Sequence, residues 1–191
     1  MRKFVTLMAV LVSTATFAAP ATYRIDPEHF SIAFAIEHVG YARVIGQFAQ
    51  ASGEFVYDEQ TRQLSSGRVE VRASSVSTHH PKRDEHVRNA DFLDADAHPL
   101  IRFVAKEYRA DKPSGGILRG DLTMLGQTHP IELEVKVNKA AAYPFGHRQH
   151  TLGISASATI QRSRWGMSYG VANGMVGDDV ELRFELEAVR Q

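Results

Sequence analysis

Apolar and polar residues alternate with period two along most of the chain. From Val180 to Glu187 every even position is apolar and every odd one charged. The stretches 131–137 and 69–73 repeat the pattern. A strand points successive side chains to opposite faces, so this alternation marks strands with one face packed and one in water. That is the antiparallel habit, because parallel strands are usually covered on both faces. The pattern predicts eight strands near residues 29–38, 43–58, 67–76, 99–109, 115–125, 128–139, 149–163 and 178–189, with a short strand at 22–25 ahead of the first. Turn residues separate them: Gly40, Gly53, Ser65-Ser66-Gly67, Lys112-Pro113-Ser114-Gly115-Gly116 and Tyr143-Pro144-Phe145-Gly146. Gly126-Gln127 also carries a turn, and Leu125-Gly126-Gln127-Thr128-His129 reads as a tight hairpin between two strands. Two stretches break the rhythm. Residues 79–96 are highly charged, and 82–90 predict two turns of helix. Residues 164–177 are glycine-rich and hold Trp165, Tyr169 and Met175. Both are expected at the barrel ends, as seals or gates.

Long amphipathic strands joined in series point to a meander. Closing eight of them removes the exposed edges that invite aggregation and leaves an interior for side chains or one ligand. The fold class expected is therefore all-β, an eight-stranded antiparallel barrel with one short helix; a two-sheet sandwich is the alternative. The alternation names an inward face on each strand. Ile32, Phe34 and Ile36 share one, and so do Val69, Val71 and Ala73. Ile101 and Phe103, Leu122 and Met124, Ile131 and Leu133 follow, then Leu152, Ile154, Ala156, Ala158 and Ile160, and Leu182, Phe184 and Leu186. A packed core and a lined cavity produce the same periodicity. The small inward residues Ala73, Ala105, Gly120, Ala156 and Ala158 favour a cavity, since they leave space unless something fills it.

Composition narrows the setting. Lys+Arg and Asp+Glu are equal at 22 each, so there is no cationic footprint for nucleic acid or an anionic surface. No cysteine is present, which removes disulfides, thiolate chemistry and cysteine-based zinc sites. Arg2 and Lys3, the apolar run Phe4 to Val12 and the small-residue stretch ending at Ala18-Ala19 match a secretory signal, too short to span a bilayer. The expected division is residues 1–18 as signal peptide and 19–191 as one barrel domain, exported and not an integral membrane protein.

Chemistry candidates are sparse. His79, His80 and His86 sit among Asp84, Glu85, Asp91, Asp94 and Asp96, but the spacing fits no known closed metal site, and no metal is expected. Arg83 and Asp84 read as a structural pair fixing this segment to a barrel end. There is no G-x-S-x-G, and nothing places Ser163, Ser168, His147 and His150 together. Asp26, Glu37 and Asp121 offer carboxylates whose proximity spacing cannot show. No catalytic residue is assigned and a non-enzyme is expected.

The chain also carries an ordered set of motifs. Tyr23-Arg24-Ile25-Asp26-Pro27-Glu28-His29 is followed by Glu37-His38-Val39-Gly40 and Gly53-Glu54-Phe55-Val56-Tyr57-Asp58. Then come Arg83-Asp84-Glu85-His86-Val87, Ala90-Asp91-Phe92-Leu93-Asp94, His98-Pro99-Leu100-Ile101-Arg102-Phe103 and Ile160-Gln161-Arg162-Ser163-Arg164-Trp165-Gly166-Met167. In this the chain resembles the YceI-like proteins, bacterial periplasmic proteins with a lipocalin-like barrel that bind polyisoprenoids. Phe30 between His29 and Ser31 departs from the usual pattern. The resemblance implies a periplasmic carrier that holds a polyprenyl or quinone-type lipid in an apolar tunnel, with no other cofactor and no nucleic-acid partner. The expected ligand contacts are Ile32, Phe34, Ile36, Val71, Phe92, Ile101, Phe103, Leu122, Leu133, Ile154, Ala156, Ile160, Trp165 and Phe184. An enzyme acting on such a lipid and a filled-core stress protein, working as a homodimer, are the alternatives.

Overall fold

The computed structural model describes residues 19–191; the expected signal peptide lies outside them. Ten strands build one sheet: β1 (Ala21–His38), β2 (Ala42–Phe48), β3 (Ala51–Asp58), β4 (Gln63–Arg72), β5 (Val76–Ser77), β6 (Leu100–Lys112), β7 (Gly115–Met124), β8 (Gln127–Ala142), β9 (His150–Gln161) and β10 (Val176–Arg190). All pairings are antiparallel, and β10 returns to pair with β1 over Tyr23–His38. The sheet is thus a closed barrel of eight staves. β2 and β3 lie end to end along the same edge of β1, so they form one stave broken at Ala49-Gln50. β4 and β5 form another, broken by a 3-10 turn at Ala73–Ser75.

Most departures from the sequence pattern have local causes. The expected strands at 22–25 and 29–38 are one strand. The β1–β10 register slips between Ile25 and Phe30, which throws Asp26-Pro27-Glu28 out of the ladder as a bulge. Pro27 has no N–H to give the ladder, so it belongs in such a bulge. The β7–β8 hairpin closes on Leu125 (φ 50°) and Gly126 (φ 72°), a primed two-residue turn. Helix α1 (Pro81–Arg88) starts with Pro at its first turn and the His80 ring accepting the Arg83 N–H.

The two irregular segments do not seal opposite ends. Residues 78–99 join β5 to β6 and residues 162–175 join β9 to β10, and both connections fall at the end marked by His38 and Leu100. Consecutive staves of a meander reverse direction, so every second connection returns to the same end. Only short connections close the opposite end: Glu59–Arg62, Pro113-Ser114 and 143–149.

Candidate functional site

Inside the barrel lies one elongated cavity of about 480 Å³ with an almost wholly apolar wall. The inward residues of all eight staves contribute, because alternation directs each second side chain to the lumen. Among the expected contacts, Ile32, Phe34, Ile36, Val71, Ile101, Phe103, Leu122, Leu133, Ile154, Ala156, Ile160 and Phe184 border the cavity, and Phe92 reaches it from the segment after α1. Trp165 does not. Its side chain is fully enclosed behind Leu122, Met124 and Ile160, and its indole N–H donates to the Leu122 carbonyl at 3.0 Å. A buried indole needs a partner for its N–H, and that bond makes Trp165 an anchor of the cap rather than part of the wall.

The space is not left by small residues alone. Of those named from the sequence, only Ala105 and Ala156 border the cavity. The Phe103 ring covers Gly120, where a Cβ would stand 2.3 Å from ring carbon Cζ. Phe34 covers Gly46 in the same way. These glycines admit aromatic rings that lie flat on the wall.

The closed end is packed with rings. Tyr23, Ile25, Tyr57, Leu152 and Ala188 form its buried cluster, with Phe55, Leu64 and Tyr108 against them. Tyr23 stacks on Phe55 at 5.3 Å. Its hydroxyl donates to Glu59, and burial with this acidic neighbour pushes the phenol well above its ordinary value. The Tyr108 hydroxyl is buried with no partner among the described residues.

The capped end is polar at its rim and held by a hydrogen-bond network. Arg162 is buried, yet its guanidinium donates to four backbone carbonyls: Gly177 (2.8 Å), Met167 (2.7 Å), Tyr169 (2.7 Å) and Val176 (3.0 Å). Burial lowers its pKa and Asp178 opposes this, but an arginine stays charged. Thr78 ties α1 down. Its N–H and hydroxyl each donate to Asp84 Oδ1 at 2.6 Å, while Arg83 donates to Thr78 Oγ1 (2.7 Å) and to its carbonyl (2.8 Å). Arg83 and Asp84 thus act through a shared threonine rather than as a simple pair. Burial raises the Asp84 pKa, but the Thr78 bonds and the nearby Arg88 and Arg83 outweigh it and hold the carboxyl below its usual range. His86, Phe92 and Tyr169 form a ring cluster with centroids 5.0 to 5.3 Å apart, over which Arg162 lies 5.6 Å from the Phe92 centroid.

Residues weighed for catalysis are dispersed. Ser163 is at the capped end and His147 and His150 are at the other. Asp121 faces Lys106 at 3.3 Å, away from Asp26 and Glu37. His80 caps α1 and His86 pairs with Asp91 at 3.0 Å. Asp26, His29 and Glu187 do meet at the β1 bulge, with His29 Nδ1 2.7 Å from Asp26 and 3.8 Å from Glu187. Sequence reasoning missed Arg162 and Thr78 as residues bordering the cavity and named Tyr169 only as part of the glycine-rich segment expected to seal or gate the barrel. The arginine-rich stretch Arg162-Ser163-Arg164 beside an apolar strand was the available signal for the first.

A family model described as the YceI-like domain matches residues 23–188. A UPF0312 protein of Pseudomonas aeruginosa is 33% identical over 192 residues, covering 97% of this chain and 98% of the relative. Among solved structures, Burkholderia cenocepacia BcnA superposes with a TM-score of 0.76 at 19% identity, over 85% of this chain and 98% of that one. A polyisoprenoid binding domain from Saccharophagus degradans superposes at 0.65 and 12% identity, over 90% and 99%. At these identities the two superpositions speak for the fold.

Proposed function

Because the chain belongs to the YceI-like family, we propose that it is a periplasmic carrier that sequesters one long-chain isoprenoid, of polyprenyl or quinone type, without chemically altering it. The observation that carries this reading is the continuous apolar cavity of about 480 Å³ inside a closed barrel. Such a cavity suits a hydrocarbon chain. Burial contributes roughly 25 cal/mol per Å², so about 300 Å² of tail contributes about 7 kcal/mol. A polar wall would have to be desolvated first; this one is not polar. The polyisoprenoid binding domain from Saccharophagus degradans shares the fold, which supports the same ligand class here. Export is supported by Arg2, Lys3 and the apolar run to Val12. No helix of the described residues is long and apolar enough to cross a membrane.

Carriage rather than turnover is favoured by how the polar groups near the cavity are engaged. Arg162 holds carbonyls, and Arg83 and Asp84 hold Thr78. The test is direct. The mature protein, purified from cells and extracted with organic solvent, should release an isoprenoid in near-equal molar amount by mass spectrometry. An empty extract, or an added polyprenyl lipid that is chemically converted, overturns the reading. Ala156→Phe puts a ring into the void. It should cut retained lipid severalfold and change stability by about 1 kcal/mol or less, since open space receives the side chain.

A further inference from the structure

The two ends of the cavity differ in what they offer a ligand. At the closed end the wall is made of Tyr57, Tyr108 and Leu152, packed against Tyr23. At the capped end the wall includes Arg83, Tyr169 and Arg162. Midway, Glu54 and Arg68 also reach the wall, but they neutralise one another at 2.9 Å.

The donors at the capped end are not all spent. Arg83 uses Nε and Nη2 on Thr78, and its Nη1 has no hydrogen-bond partner among the described residues. The Tyr169 hydroxyl makes no hydrogen bond among the described residues, while its ring packs on His86 and Phe92 and the residue is exposed. Behind them stands Arg162, buried and without a carboxylate in ion-pair contact. Asp178, the acid that acts on it, spends its oxygens on the Ser163 N–H and hydroxyl, both at 2.8 Å. A buried charge is weakly screened, so it favours negative charge or an oxygen lone pair nearby. Of the other acids near this end, Asp84 is engaged with Thr78 and Asp91 with His86, while Glu37 borders the cavity at its mouth, exposed to solvent and in the field of Arg43.

Resting on the carrier reading above, we infer that the ligand lies in one direction. Its head group sits at the capped end and presents a hydrogen-bond-accepting oxygen, as a phosphate or a carbonyl, to Arg83 and Tyr169. Its tail points to the tyrosine-packed end. A head group at the closed end would meet stacked rings and one unpartnered hydroxyl among the described residues, that of Tyr108; Arg62 lies outside the cavity wall and donates to the Lys112 and Gly115 carbonyls.

Trp165 is the single tryptophan and lies one layer behind the wall at the capped end, so it reports on what binds there. The delipidated protein is titrated with a polyprenyl phosphate, a polyprenyl quinone and the plain hydrocarbon squalene. The phosphate or the quinone should bind about tenfold or more tighter than squalene, the factor one hydrogen bond to a charged group supplies. Which of the two wins identifies the head group. The double change Arg83→Gln with Tyr169→Phe should erase that difference. Independently of any variant, a polyprenyl chain brominated next to its head should quench Trp165 far more than one brominated at its tail. Equal affinity for all three probes, or stronger quenching from the tail bromine, overturns the orientation and leaves the carrier reading standing. Failure of all three to bind overturns the carrier reading with it.

Discussion

At one end of this barrel the chain reverses through short connections; at the other it runs through a helix and two irregular segments before re-entering the wall. The first end is held largely by ring against ring, Tyr23 on Phe55 and Tyr57 edge-on to Tyr108 at 6.2 Å, with fewer polar ties, chiefly Arg62 on the Lys112 and Gly115 carbonyls. The second adds to an apolar cluster of Val76, Leu93 and Met167 a set of side chains reaching backbone, with Arg162 on four carbonyls and Asp84 and Arg83 on Thr78. Apolar packing tolerates shape change and loses contacts gradually. A buried polar network loses much at once when a partner goes, because what remains is unsatisfied. The two ends should therefore answer mutation very differently.

The largest difference should come from Arg162→Met, which abandons four carbonyls, that of Met167 buried and the other three partly buried. A loss of about 3–5 kcal/mol is expected in urea unfolding, with faster amide exchange across 166–177. A loss under about 1 kcal/mol would mean that this end too rests on apolar contact.

Asp84→Asn comes next, at about 2 kcal/mol at neutral pH. Its sign with pH is fixed by the lowered native pKa. The carboxylate's contribution is complete above the ordinary value of about 4 and fades as pH falls through the lower native one. Urea midpoints of wild type and variant should converge on acidification; a gap that stays constant in acid would show that ionisation of Asp84 contributes nothing.

The smallest effect, and opposite in sign, belongs to the closed end. Tyr108→Phe removes a buried hydroxyl that has no partner. It should be neutral or stabilising by up to about 1 kcal/mol, read from the thermal midpoint. A clear destabilisation would show that this end also depends on polar bonds.

The same contrast governs what was legible in the sequence. Wall residues such as Leu182 and Phe184 declare themselves through period two, because the lumen imposes it. Ala105 and Ala156 as cavity neighbours followed from the same rule, whereas Gly120 misled, since its space is taken by Phe103, whose cross-strand partner is Leu122 two residues along β7. The break of β2 from β3 at Ala49-Gln50 left no mark in the alternation. The cap was less legible still. Arg162 is defined by carbonyls at 167, 169, 176 and 177, and a carbonyl has no sequence signature. Counting alternate connections along an eight-stave meander, however, puts 79–96 and 164–177 at one end without any structure.

The upper half of β2 has a consequence of its own. On one side it pairs with β1 along Ala42–Phe48; on the other, among the described residues, only Gln47 and Phe48 meet a strand. From Ala42 to Gly46 this edge of β2 is a seam with no strand partner among the described residues, and Val44 on it and Val87 of α1 both border the lumen. Parting such a seam breaks no ladder bond. Under the carrier reading proposed above, this is the place where a long chain would enter sideways along its length instead of being threaded through a ring.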